Sequence, residues 1–116
     1  MVLIEPDPFV RDALTLLLEG VGWQVIGLEN CHGLDAVAEK NNAVAVISES
    51  SLPDCSPQVL LERCSESGLP VIFTGHDLSL QGAVDLIRQG AVDFLDKPFP
   101  QTRLLDLLDR LQTARA

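Results

Sequence analysis

The chain has 116 residues, 47% of them hydrophobic, and a net charge of −9. This length suits a single domain spanning residues 1–116, and the composition supports a buried core. No apolar run approaches the roughly 18 residues of a transmembrane helix, and the acidic charge would repel phosphate backbones, so we expect binding neither to membranes nor to nucleic acid.

The N-terminus and the cysteines indicate a reducing compartment. The N-terminus lacks the basic start and long apolar segment of a signal peptide, so a cytoplasmic location is expected. The three cysteines, Cys31, Cys55 and Cys64, are odd in number and show no CxxC spacing. We expect them to be free thiols, since neither they nor the two histidines follow a recognisable zinc-binding spacing.

Strand and helix patterns alternate along the chain. Short apolar runs predict five strands, at Val2–Ile4, Trp23–Leu28, Ala43–Ile47, Val71–Thr74 and Ala91–Leu95. Helical spacing predicts five helices, from Pro8 to a stop at Gly20, around Leu34–Ala38, from Pro57 to a stop at Gly68, at Leu80–Gln89 and at Gln101–Leu111.

Two of these helices have start signals and inward faces that the sequence specifies. Asp7 and Ser56 each precede a proline, which is typical of a capped helix start. Apolar residues that recur at three and four positions predict the buried faces. These faces are Val10, Ala13, Leu14, Leu17 and Leu18 in the first helix, and Val59, Leu60 and Cys64 in the third.

The alternation predicts a doubly wound α/β fold, in which helices cover both faces of a parallel sheet. For five strands we expect the order 2-1-3-4-5, which places a crevice at the carboxyl ends of strands one and three. Polar residues follow the strands at this edge, namely Glu5 and Asp7, Glu49, Thr74, and Lys97 before Pro98. The sequence therefore predicts a polar site on the rim of an apolar sheet.

Three segments carry a family resemblance that covers essentially the whole chain. They are Glu49–Asp54, Val71–His76 and Gly90–Phe99. Together they resemble the receiver domain of two-component response regulators, and the last two are most similar to regulators of the nitrogen-fixation type. The resemblance implies the flavodoxin-like receiver fold and a signalling module rather than an enzyme. It also implies a histidine kinase or an output domain as a partner.

The resemblance assigns an acidic pocket. In that family a strand-end aspartate accepts a phosphoryl group while acids after the first strand hold Mg²⁺. By position, Glu49 stands at the phospho-acceptor place, and Glu5, Asp7 and Glu49 form the pocket. Pro6 stands where a second acid is expected, so one Mg²⁺ ligand is missing. Because Glu49 is also one methylene longer than aspartate, we expect weakened Mg²⁺ binding and no efficient phosphorylation.

The resemblance also assigns the residues around that pocket. Lys97 matches the lysine that pairs with the acceptor or its phosphate. Thr74 matches the switch hydroxyl, and Phe94 matches the aromatic that turns inward after activation. The Lys97–Pro98 peptide bond resembles one that is cis in the family.

The altered pocket leaves three interpretations open. In the first, Glu49 and Lys97 form an ion pair that permanently holds an active-like arrangement, with one charge imitating the nearly two of a phosphate. In the second, the pocket has decayed and the chain is an inert scaffold. In the third, it is a working receiver that accepts phosphate with Mg²⁺. A flavodoxin-like electron carrier is disfavoured, because the acids of Glu5–Phe9 would repel a flavin phosphate.

The last helix carries more leucines than one sheet contact needs, at Leu104, Leu105, Leu107, Leu108 and Leu111. The stripe could serve the core with an apolar edge, or it could be part of a partner face. The resemblance implies a homodimer through the fourth helix, the fifth strand and the last helix, and we favour this interpretation. Leu105 or Leu108 is the expected exposed anchor. Such a module would regulate an output, such as transcription, by protein contact.

Overall fold

The computed structural model describes residues 1–76 and 79–115, and side chains through residue 112. The strands are β1 (Val2–Ile4), β2 (Ile26–Leu28), β3 (Val46–Glu49), β4 (Val71–Gly75) and β5 (Asp93–Asp96). The helices are α1 (Pro8–Gly20), α2 (Leu34–Lys40), α3 (Pro57–Glu66), α4 (Leu80–Arg88) and α5 (Gln101–Arg115). The predicted alternation of five strands and five helices is confirmed.

The strands form one parallel sheet in the order β2-β1-β3-β4-β5, as predicted. β2 is shorter than expected and begins at Ile26 rather than Trp23. It lies at the edge, where its only neighbour, β1, offers three residues for pairing. β5 begins two residues later than predicted, since the Ala91 amide still donates to the Leu86 carbonyl at the end of α4. The last helix runs beyond Leu111.

Alternating strand residues build a core on each face of the sheet. Val2 and Ile4 pack on one face with Val46 and Phe73, where α2, α3 and α4 contribute side chains. Leu3 packs on the other face with α1 and α5. Every residue of the three central strands, β1, β3 and β4, is buried, which is why these strands are continuous, mostly apolar runs in the sequence.

The predicted caps are present. The Asp7 carboxylate accepts hydrogen bonds from the amides of Phe9 and Val10 at 2.9 and 3.4 Å. The Ser56 hydroxyl accepts from the Val59 amide at 3.2 Å. Each cap satisfies amides that the first helical turn leaves without an intrahelical partner.

For three residues the predicted burial or exposure of the side chain is wrong. Ala13 is exposed on α1. Val59 is 46% exposed, because it lies in the capped first turn of α3, and Leu60, Leu61 and Cys64 make the buried face instead. Leu108, expected as an exposed anchor, is 2% exposed and packs in the core beneath α5.

The other leucines of α5 explain the Leu108 error. Helix α5 buries three leucines against the face of the sheet that also packs against α1, namely Leu104, Leu107 and Leu108. Leu105 is half-buried. The leucine stripe is therefore used mostly by the core. No helix in the part of the chain described is long and apolar enough to cross a bilayer.

Candidate functional site

The carboxyl ends of four strands bring the predicted polar residues to one rim. Glu5 follows β1, Glu49 ends β3, and Lys97 follows β5. The register places Glu49 beside Thr74 of β4, and Gly75 beside the last residue of β5. Residues separated by up to 92 positions in the chain thus become neighbours because parallel strands end at the same edge.

The centre of this rim is the Lys97 ammonium. Its Nζ donates to Glu49 Oε2 at 2.6 Å and also to Glu5 Oε1. The side chains of Glu5, Glu49 and Lys97 are only 4%, 8% and 13% exposed. The expected contact between Glu49 and Lys97 is present, but the lysine is shared with Glu5. We call these three residues the rim triad.

The remaining oxygens of both carboxylates also accept hydrogen bonds. Glu5 Oε2 accepts from the Asp7 amide at 3.1 Å, and Glu49 Oε1 accepts from the Ser51 amide at 3.4 Å. The Lys97 backbone amide donates to the Gly75 carbonyl at 2.8 Å, which fixes where the lysine leaves the sheet. The rim triad is therefore held by the backbone as well as by its charges.

The electrostatics favour a permanently charged lysine. Burial lowers the pKa of Lys97, but hydrogen bonds to Glu49 and Glu5 outweigh burial, so its pKa is raised above the usual 10.5. A raised pKa in the folded chain means that this contribution to stability is complete below pH 10.5 and is lost as pH rises through the raised pKa. At neutral pH the cation stays in place.

Gly75 leaves space for the Glu49 side chain. A Cβ at this position would lie 2.8 Å from Glu49 Oε1 and 2.5 Å from the Ser50 hydroxyl oxygen. Both distances are shorter than real Cβ contacts, so no other residue fits without moving these atoms. Sequence reasoning gave Gly75 no role, although a glycine ending a fully buried strand beside an acid was an available signal.

The expected switch residues are buried beside the rim. Thr74 is 1% exposed and Phe94 is 7% exposed. The Phe94 ring belongs to the core, and its Cζ lies 3.6 Å from the position of a Cβ on Gly75. The aromatic therefore points inward. The Lys97–Pro98 peptide bond is cis, as the resemblance implied.

The acidic pocket does not suit Mg²⁺. Asp7 Oδ1 caps α1, and its side chain is exposed. In the described residues, Glu5, Asp7 and Glu49 do not bring three carboxylate oxygens within 4.8 Å of one another. The oxygens of Glu5 and Glu49 that face each other already bind an ammonium. A hard cation needs several free oxygen ligands, so this donor set does not fit.

Arg11 is a supporting residue that sequence reasoning missed. Its Nη1 donates to the Glu5 carbonyl at 2.7 Å, which anchors the strand end that carries Glu5. The Arg11 side chain also runs over Gly27 of β2, where a Cβ would lie 3.1 Å from Arg11 Cδ. Its polar contact spans only six residues, but nothing in the helical spacing singles out an arginine that turns back toward the strand.

Comparison with known proteins identifies the family. The family described as "Response regulator receiver domain" matches residues 1–109. The chain belongs to this family. It is 39% identical to the C4-dicarboxylate transport transcriptional regulatory protein DctD of Pseudomonas aeruginosa, over 99% of this chain and 25% of that protein. It is 35% identical to the transcriptional regulatory protein FixJ of Bradyrhizobium diazoefficiens, over 92% of this chain and 53% of that protein.

Solved structures agree on the receiver fold. The beryllofluoride-activated NtrC4 receiver domain dimer matches with a TM-score of 0.90 at 19% identity, over 99% of this chain and 97% of that one. The receiver domain of a putative Luxo repressor from Vibrio parahaemolyticus matches with a TM-score of 0.86 at 23% identity, over 98% and 92%. The match to FixJ agrees with the resemblance to nitrogen-fixation regulators. The receiver spans about a quarter to a half of the relatives' length.

Removing the Lys97 ammonium, which Glu5 and Glu49 share, should destabilise the receiver strongly. Lys97→Met leaves two buried carboxylates unpaired, and we expect the free energy of unfolding to fall by about 3–5 kcal/mol. Urea denaturation at neutral pH measures this change. The control is Arg103→Met, which breaks an exposed pair with Asp93 at 3.3 Å and should cost at most about 1 kcal/mol. Equal, small costs for both variants would contradict the central position of Lys97.

The space over Gly75 predicts an energetic coupling to Glu49. Gly75→Ala should cost about 1–3 kcal/mol of unfolding free energy, because the new methyl group meets Glu49 and Ser50. In a Glu49→Asp background the shorter side chain withdraws, so the part of the cost that comes from Glu49 should be lost while the contact with Ser50 remains. Gly20→Ala, with nothing within 4 Å of the added carbon, is the matched control and should be neutral or stabilising. A cost for Gly75→Ala that is independent of residue 49 would refute the coupling.

Proposed function

We propose that this receiver acts without phosphorylation, and that the rim triad holds it in one signalling arrangement. The observation that carries the proposal is the Lys97 ammonium between Glu49, at 2.6 Å, and Glu5. In the receiver domains that this chain resembles, the acceptor carboxylate and the lysine act together with a phosphoryl group and Mg²⁺. Here the extra methylene of Glu49 lets the carboxylate itself reach the lysine.

The geometry works against phosphoryl transfer in two ways. Attack on a phosphoryl donor uses a lone pair of a carboxylate oxygen, and the hydrogen bonds on both oxygens of Glu49, one of them from an ammonium, lower the nucleophilicity of the carboxylate. The transfer also needs a cation to neutralise the phosphoryl oxygens, and Pro6 and the helix-capping Asp7 leave too few ligands. While the Lys97 ammonium binds both carboxylates, it cannot also neutralise the phosphoryl oxygens.

The inward Phe94 supports an active-like arrangement rather than a decayed pocket. The resemblance links an inward aromatic with the active form, and Phe94 is buried in the core. A decayed site would be expected to leave solvated acids at the strand ends. Instead the side chains of Glu5 and Glu49 are 4% and 8% exposed and share the Lys97 ammonium. Burying three charged groups is costly unless they are paired, so their arrangement supports a retained role.

We propose that the output is regulation of transcription through an output domain, with self-association as the signal. The relatives DctD and FixJ are named as transcriptional regulators, which supports transcription as the regulated output. The dimer face would combine α4, β5 and α5. Its anchors would be Leu80 and Ile87, 83% and 43% exposed, together with the half-buried Leu105 in place of Leu108. A histidine kinase is not required by this scheme, and an upstream kinase would have no acceptor to use.

Weakening the rim triad should weaken self-association. Glu49→Gln keeps the size of the side chain but removes the charge that holds Lys97. We expect the dimer dissociation constant to rise about fivefold or more, within the usual range of coupling between sites. Sedimentation equilibrium measures the constant, and thermal unfolding checks that the variant is folded.

The matched control is Glu62→Gln, which removes the same charge from the exposed surface of α3. It should leave the dimer constant unchanged. If Glu49→Gln and Glu62→Gln both dimerise like the parent chain, the rim triad does not control association. If the parent chain is monomeric at high concentration, self-association is not its output.

A further inference from the structure

A second cluster of reactive side chains lies away from the rim triad. Cys31 is in the loop between β2 and α2, whereas Asp54 and Cys55 are in the loop between β3 and α3. Both cysteine sulfurs and a carboxylate oxygen of Asp54 lie within 4.8 Å of one another. Within residues 1–76 and 79–112, no other group of three potential metal ligands meets this spacing.

Hydrogen bonds hold two members of this cluster, Cys31 and Asp54. The Cys31 amide donates to Asp54 Oδ1 at 3.2 Å, which ties the two loops together. Arg63 Nη1 lies 3.8 Å from the Cys31 sulfur, and Arg63 Nη2 is held by Asp35 Oδ2 at 3.1 Å. Support by hydrogen bonds behind the donor atoms is characteristic of built metal sites.

We propose that Cys31, Asp54 and Cys55 bind one thiophilic divalent cation, of which Zn²⁺ is the natural candidate. Zinc holds sulfur at about 2.3 Å and carboxylate oxygen at about 2.0–2.2 Å, so tetrahedral ligands lie roughly 3.3–3.8 Å apart. The observed upper limit of 4.8 Å allows this spacing with small side-chain adjustments. Asp54 is exposed and Cys55 half-exposed, which gives the ion an entry path and an open fourth position.

The charges also suit such an ion. Two thiolates and a carboxylate carry three negative charges, of which a divalent metal would neutralise two, while Arg63 beside Cys31 is already paired with Asp35. A disulfide between the two sulfurs would involve neither Asp54 nor Arg63, so the set as a whole favours a cation.

The position of the cluster gives binding a structural consequence. The segment from Ser50 to Cys55 begins directly after Glu49, and the Ser51 amide donates to Glu49 Oε1. A cation on Cys31, Asp54 and Cys55 would join the end of this segment to the loop after β2. Occupancy would therefore stabilise the segment that follows the acceptor position.

Cobalt binding tests the proposal on the full 116-residue chain. The reduced protein is titrated anaerobically with Co²⁺, and thiolate-to-cobalt absorption is followed in the near ultraviolet. We expect one Co²⁺ per chain, displaced by Zn²⁺. Absence of these bands in the reduced chain, or a Cys31–Cys55 disulfide that forms in air without any metal uptake by the reduced chain, would overturn the proposal.

Ligand variants at the exposed Asp54 and the half-exposed Cys55 disturb the core little, and the control variant is at the buried Cys64. Cys55→Ser and Asp54→Asn should each weaken Co²⁺ binding about tenfold or more, while the side-chain carbonyl that Asp54→Asn retains still accepts from the Cys31 amide. Cys64→Ala removes the cysteine outside the cluster and should leave the bands unchanged. Equal binding by Cys55→Ser and the parent chain would show that the ion sits elsewhere. Circular dichroism of each variant confirms the fold.

Discussion

The arrangement of the carboxyl edge of this sheet depends on the Lys97 ammonium, which is enclosed between the carboxylates of Glu5 and Glu49. It joins the ends of β1, β3 and β5, and the residues around it are arranged to keep it there. A buried ion pair adds little net stability compared with apolar packing, yet loss of one partner is expensive. The three charges therefore depend on one another, and removing one of them leaves the others with fewer buried partners.

Substitution of glutamate for aspartate at the acceptor position has consequences beyond one methylene. The longer side chain needs room, which Gly75 supplies, and it gains a partner, which Lys97 supplies. At the same edge Pro6 supplies no carboxylate, and Asp7 Oδ1 accepts a hydrogen bond from the first turn of α1. These features agree with one another, which favours a receiver that is held in one arrangement by its own side chains over a pocket that lost its function piece by piece.

Sequence patterns predicted the fold and the residues of the rim well, because both follow from the order and the ends of the strands. The alternation of elements fixes a parallel sheet, and a parallel sheet gathers Glu5, Glu49 and Lys97 at one edge. Side-chain direction was harder to predict. Leu108 belongs to the core because α5 turns three of its leucines inward, and the cluster of Cys31 with Asp54 and Cys55 spans more than twenty residues between two loops, which no local spacing reveals.

Phosphorylation of the intact chain tests the central claim most directly. The protein is incubated with Mg²⁺ and acetyl phosphate, and its intact mass is measured. The account predicts no added phosphate on the parent chain, because Glu49 is engaged by Lys97 and the Mg²⁺ ligands are incomplete. A double variant, Pro6→Asp with Glu49→Asp, serves as the positive control and should gain one phosphate. A stable gain of one phosphate by the parent chain would contradict the account.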